Sequence, residues 1–117
     1  MQILLIDDNK EITNMMQKYL TLKGHECIIS NDGRNGLALL EKQRFDVVLL
    51  DLAMPEFTGV DIVNDLYRTG RINDQKIILF TASSVKDEEI RGLVEKGVYS
   101  CIKKPVKLEV LLKAIGG

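Results

Sequence analysis

The polar residues able to do chemistry stand immediately behind short apolar runs. Asp7-Asp8 follow the run 3–6 and Asp51 follows Val47–Leu50; Thr81 comes after 77–80 and Lys104 after 99–102. Crowded carboxylates cannot all stay ionised cheaply, so one takes a proton or a divalent cation neutralises them. An all-oxygen set suits Mg²⁺, which keeps several waters and commonly takes one or two carboxylates together with a phosphate oxygen. With such an ion, Asp51 becomes a candidate nucleophile. A carboxylate accepts a phosphoryl group as an aspartyl phosphate, and what remains is electrostatic work that the Lys104 ammonium and the Thr81 hydroxyl are equipped to do.

Each residue taken alone has a plainer role. Asp8-Asn9 has the composition of a helix N-cap, Thr81 that of a strand-end hydroxyl bonded to backbone, and Lys103-Lys104 that of solvated charge beside a turn. The argument for a site is their joint placement at successive strand ends. The remaining singular residues have plainer readings too. His25, the only histidine, follows Gly24 in a connection and reads as exposed, while Met15, Met16 and Met54 read as packing.

The elements that must position these groups alternate strictly. After the strand at 3–6, Ile12, Met15, Met16, Tyr19 and Leu20 recur at helical spacing up to a glycine cap at Gly24. A short strand at 27–29 ends in the turn Asn31-Asp32-Gly33, and a second helix carries Leu37 and Leu40. Val47–Leu50 is the third strand; a loop with Pro55 and Gly59 leads to a helix with Val63, Leu66 and Tyr67 on its inner face. The fourth strand, 77–80, is followed by Ser83 and Ser84 ahead of the acidic turn Asp87-Glu88-Glu89, a helix-start arrangement. A fifth strand at 99–102 and a last helix with Leu108, Leu111, Leu112 and Ile115 complete the series. Five βα units with unbroken apolar strands require a parallel sheet covered by helices on both faces. In such a sheet all the carboxyl ends share one edge, where ligands bind.

Composition narrows the function. The 117 residues allow one domain, 1–117, and no second. Lys plus Arg number 16 against 17 Asp plus Glu, a net charge of −1 that argues against direct nucleic-acid binding. No apolar stretch approaches the roughly 20 residues of a membrane span, and the N-terminus lacks the features of a secretory signal, so a cytoplasmic protein is expected. Cys27 and Cys101 are then expected to be reduced, buried thiols.

With these positions assembled, the chain resembles the receiver domain of two-component response regulators along essentially its whole length. The resemblance is carried by Asp7-Asp8, by the stretch running from Asp51 through Ala53, Met54, Pro55 and Glu56 to Gly59, by Thr81-Ala82 and by Lys104-Pro105. It implies a doubly wound five-stranded parallel sheet of order 2-1-3-4-5, which brings Asp8 near Asp51 and sets Cys27 and Cys101 on opposite edges, too far apart for a disulfide. It also implies that Asp51 takes phosphate from the phosphohistidine of a sensor histidine kinase. Asp8, Asp51 and the Ala53 carbonyl would bind Mg²⁺ directly, and Asp7 through water. Thr81 would supply the switching hydroxyl, Lys104 would pair with the phosphoryl group, and the Lys104-Pro105 bond would be cis. The face of helix four, strand five and helix five would change shape to control a downstream protein or effector domain, with homodimerisation on phosphorylation left open. Ala53 and Ser83 would flank the attacking water.

One departure stands out: where receivers usually carry an aromatic in strand five, this chain has Cys101, and Tyr99, two residues earlier, would share its face and partly substitute. The chain is expected to act on its own phosphorylation state without turning over a separate substrate. Two other readings compete: a receiver-like interaction domain that is never phosphorylated, and a phosphatase with Asp51 as nucleophile. Aspartate-nucleophile phosphatases place a second acid two residues on, where this chain has Ala53.

Overall fold

A computed structural model describes residues 1–82, 84–105 and 107–116. Ser83, expected beside the attacking water, lies outside the described residues. The strands are β1 (Gln2–Ile6), β2 (Glu26–Ser30), β3 (Val47–Leu50), β4 (Ile77–Ala82) and β5 (Ser100–Lys104). Between and after them run α1 (Lys10–Leu22), α2 (Gly33–Lys42), α3 (Gly59–Arg68), α4 (Asp87–Lys96) and α5 (Leu108–Ala114), with a short 3-10 turn at Arg71–Asp74. All neighbouring strands pair in parallel, in the order β2-β1-β3-β4-β5.

The strands read as unbroken apolar runs because both faces of the sheet are covered. Leu4, Ile6, Val48, Leu50, Ile77 and Leu79 pack with Leu40 of α2, Ile62, Val63 and Leu66 of α3 and Leu93 of α4. Their alternates, among them Ile3, Leu5, Val47, Leu49, Ile78 and Phe80, pack with Met16 and Leu20 of α1 and with Leu111 and Ile115 near the end of the chain. Burying a side chain of this size contributes about 1.5–3 kcal/mol, so the two layers fix the register of every strand. Cys27 and Cys101 sit on the two edge strands and are free thiols.

Helix starts follow local chemistry. The Asn9 side chain accepts from the Ile12 amide and Asp32 from Asn35, while Thr58 and Asp61 form a reciprocal capping box at α3. Helix α4 departs from expectation. It begins after Lys86, which contributes no side-chain hydrogen bond, so Ser84 is not its cap and the acidic first turn is what meets the helix dipole. Two residues assigned to inner faces lie outside: Met15 is 51% and Tyr67 55% exposed, because each falls one position off the stripe of its helix.

Candidate functional site

The ladder between β1 and β3 pairs Ile6 with Leu50, so the next residue of each strand, Asp7 and Asp51, emerges side by side at the carboxyl edge. Backbone pairing continues through them. The Asp7 amide donates to the Ser30 carbonyl at 3.1 Å and the Asp51 amide to the Ile6 carbonyl at 2.9 Å. Both aspartates are only 5% exposed, whereas Asp8 faces solvent. Carboxylate oxygens of Asp7, Asp8 and Asp51 all lie within 4.8 Å of one another, close enough to ligate one small cation.

Lys104, the last residue of β5, reaches over β4 into this cluster. Its ammonium donates to Asp7 Oδ2 at 2.9 Å and stands 3.8 Å from Asp51 Oδ1, with the Phe80 ring beneath it. Burial pushes the Asp51 carboxyl above the usual carboxylate range, and the charges of Asp7 and Asp8 push the same way; the Lys104 ammonium and the Ala53 amide, which donates to it, oppose them without cancelling. The cluster is a negatively charged cup closed on one side by a cation.

Thr81 lies within β4, one residue inside the strand end at which the sequence placed it. It is fully buried, and its Oγ1 has no hydrogen-bond partner among the described residues. A buried hydroxyl left unpaired costs about 1–3 kcal/mol. An incoming group bearing acceptor oxygens at this edge would satisfy it, and a phosphoryl group bears three. The donor set thus fits a hard cation beside a phosphoryl group: carboxylate oxygens, one ammonium and one unspent hydroxyl. The Lys104-Pro105 peptide is cis, as the resemblance implies.

Tyr99 is not brought to this site. It precedes β5, and its amide donates to the carbonyl of Ile77, at the opposite end of β4. Four residues along the strand separate that level from Thr81, about 13 Å. Its ring is 62% exposed under the Lys76 ammonium, lining a cleft of about 520 Å³ at the amino-terminal edge, while Cys101 packs inward against the core. Tyr99 therefore does not stand in for an aromatic at position 101. The reason is the strand boundary: β5 starts one residue later and ends two residues later than its apolar letters suggest, because Lys103 and Lys104 continue the pairing with β4.

The sequence also hides a supporting network. The Asn31 side-chain Nδ2 donates to the Asp7 carbonyl at 2.8 Å and to Thr13 Oγ1 at 3.1 Å, and the Asn9 backbone amide donates to Asp7 Oδ1 at 3.0 Å. Asn31 reads as a turn residue, and only Thr13, a polar residue on the inner stripe with Met16 and Leu20, signals a buried hydrogen bond. The β3–α3 connection is clamped from two sides. A Cβ on Gly33 would meet the Phe57 carbonyl oxygen at 2.0 Å, and one on Gly59 the Asp51 carbonyl oxygen at 2.3 Å. His25 is half-buried, with Nδ1 3.4 Å from the amino terminus and far from the acids in the chain's layout.

Among the described residues no helix is long and apolar enough to cross a membrane. The chain spans about half the length of the curated relatives it matches, MprA and CpxR among them. It is 32% identical over 111 residues to the response regulator MprA of Mycolicibacterium vanbaalenii, covering 95% of this chain and 47% of that protein. With the transcriptional regulatory protein CpxR of Klebsiella pneumoniae it shares 33% over 104 residues, 89% of this chain and 43% of the relative. The chemotaxis protein CheY4 of Vibrio cholerae superposes with a TM-score of 0.87 at 29% identity, over 98% of this chain and 95% of that one. The family model for the response regulator receiver domain matches residues 3–116. Carried by the acid cluster, the strand order and that match, the conclusion is that the chain belongs to the receiver domain family of two-component response regulators.

Proposed function

We propose that this chain is the phosphoacceptor of a two-component pathway, with Asp51 taking a phosphoryl group from the phosphohistidine of a sensor histidine kinase. The observation that carries the reading is the acid cluster at the strand edge: three carboxylates within 4.8 Å, with the Lys104 ammonium on Asp7 and near Asp51. An Asp51 oxygen attacks phosphorus, the P–N bond to the donor histidine breaks, and the imidazole leaves with the bonding electrons. Asp8, Asp51 and the Ala53 carbonyl would hold Mg²⁺ directly and Asp7 through water; when bound, the ion supplies charge neutralisation for the carboxylates and the transferring phosphoryl oxygens. Lys104 pairs with the new anion. Thr81 spends its free hydroxyl on a phosphoryl oxygen, and that turn of a buried side chain biases the α4–β5–α5 face, which a downstream protein or effector domain reads. The protein modifies itself in this scheme and turns over no separate substrate. Kinase encounter in the cytoplasm, and homodimerisation once phosphorylated, belong to the same reading.

The test is intact mass spectrometry after incubation with Mg²⁺ and acetyl phosphate. A phosphoryl adduct is expected on the native chain, absent from Asp51→Asn and lost when the metal is chelated beforehand. No adduct, under conditions that phosphorylate a control receiver, would overturn the proposal in favour of an unphosphorylated interaction domain.

A further inference from the structure

Lys103 stands in β5 directly opposite Thr81 of β4. Its ammonium does not extend into water. It donates to the Val85 carbonyl at 3.1 Å and to Asp87 Oδ1 at 2.9 Å. Val85 belongs to the β4–α4 connection and packs against the same apolar cluster as Cys101, and Asp87 is the first residue of α4. One side chain therefore ties the strand partner of Thr81 to both the connection and the helix start. The N-cap, Lys86, offers no side-chain hydrogen bond of its own there. A lone cation at a helix N-terminus opposes the dipole; Asp87 offsets it, and Lys103 in turn holds the Asp87 carboxyl below the usual carboxylate range.

We infer that Lys103 is the latch coupling the Thr81 hydroxyl to helix α4, a positioning residue that acts through the Val85 carbonyl and the Asp87 carboxylate. The inference rests on the phosphoacceptor reading of Asp51. Thr81 and Ala82 lead straight into the connection, so a turn of the Thr81 hydroxyl toward a phosphoryl group shifts the following backbone relative to β5. The two Lys103 bonds span that joint. Both are anchored on one ammonium, so movement of the connection against β5 strains both and reaches the first turn of α4. Cys101, with no ring to move, leaves this role to the residue two positions on.

The experiment is hydrogen exchange of the backbone amides of 84–90 in the full chain, with and without Mg²⁺ and acetyl phosphate, alongside intact mass. Phosphorylation is expected to speed exchange in the native chain. Lys103→Met, which removes both bonds, is expected to speed it roughly tenfold before phosphorylation, and Asp87→Asn, which removes the ion pair and leaves the Val85 bond, by a smaller factor; both are expected to erase most of the later increment while still forming the adduct. Lys103→Arg, which keeps the donors, is expected to restore native behaviour. Adducts on both variants with exchange within about twofold of native, before and after, would overturn the latch and leave the Asp51 reading standing. No adduct on the native chain overturns the Asp51 reading and the coupling with it. Asp87 is an exposed carboxylate, so its variant stays folded and keeps the outcome readable.

Discussion

The Asp51 carboxyl is harder to ionise in the folded chain than in the unfolded one. Its folded-state carboxyl lies above the usual range because of burial, then Asp7, then Asp8. A carboxyl raised on folding stabilises the fold below its unfolded value and loses that contribution as pH rises through the folded value. At neutral pH without metal, Asp51→Asn is therefore expected to melt a few degrees higher than the native chain. The gain should shrink as pH falls into the carboxylate range, and melting curves on both proteins across that range check it; a gain independent of pH would locate the effect elsewhere. Lys104→Met works in the other direction. It leaves the buried Asp7 and Asp51 facing each other uncompensated, at an expected cost of about 2 kcal/mol by denaturant titration, and much less in an Asp51→Asn background. Asp7, Asp51, Thr81 and Lys104 were legible in the sequence because each stands at the end of an apolar strand, where topology assigns an edge. Asn31 and Lys103 were not, since a turn signal and a paired lysine look alike whether the side chain is solvated or reaches across the fold.

At the level of elements, the β3–α3 connection is where the fold holds Asp51 still. Gly59 opens α3 against the Asp51 backbone and Gly33 opens α2 against Phe57, so two helix starts pinch the segment from Leu52 to Thr58. Gly59→Ala would drive a methyl into the Asp51 carbonyl, with an expected loss of about 2–3 kcal/mol and slower adduct formation from acetyl phosphate. Within the pinch, Glu56 has φ of 65°, and the Phe57 amide donates to the Pro55 carbonyl at 2.8 Å. That tight turn suits glycine. Glu56→Gly is expected to stabilise the protein by roughly 1 kcal/mol, read from the denaturation midpoint, by relieving left-handed strain at an exposed position. The sequence placed all five strands and five helices, since burial on both faces leaves continuous apolar letters. It misplaced the limits of β5, because Lys103 and Lys104 take their conformation from pairing with β4, and it missed the cap of α4, which starts at the expected acidic turn but after Lys86 with no hydroxyl on its first amides.

For the whole molecule, parallel winding has one consequence that dominates the rest: every strand delivers its next residue to the same edge. The two apolar layers fix β1, β3, β4 and β5 in register, and three carboxylates are held together that would separate if the sheet came apart. Their repulsion is stored in the metal-free fold, so any cation that relieves it must stabilise the native state over the unfolded chain. At a Mg²⁺ concentration ten times its dissociation constant, that linkage amounts to about 1.4 kcal/mol, several degrees of melting temperature for a domain of this size. Protons compete with the metal at Asp51, and the raised carboxyl makes them compete at higher pH than an ordinary aspartate would allow. The Mg²⁺-induced rise in melting temperature is thus expected to be full near neutrality and to fade on acidification before ordinary carboxylates titrate. Chelation should abolish it, and Asp51→Asn, which removes one charged ligand and two of the three repulsive carboxylate pairs, should show a much smaller rise with little pH dependence. Calorimetric melts with and without Mg²⁺ across the acidic range decide the matter, because an equal rise in native chain and variant would mean that the ion binds away from the strand edge.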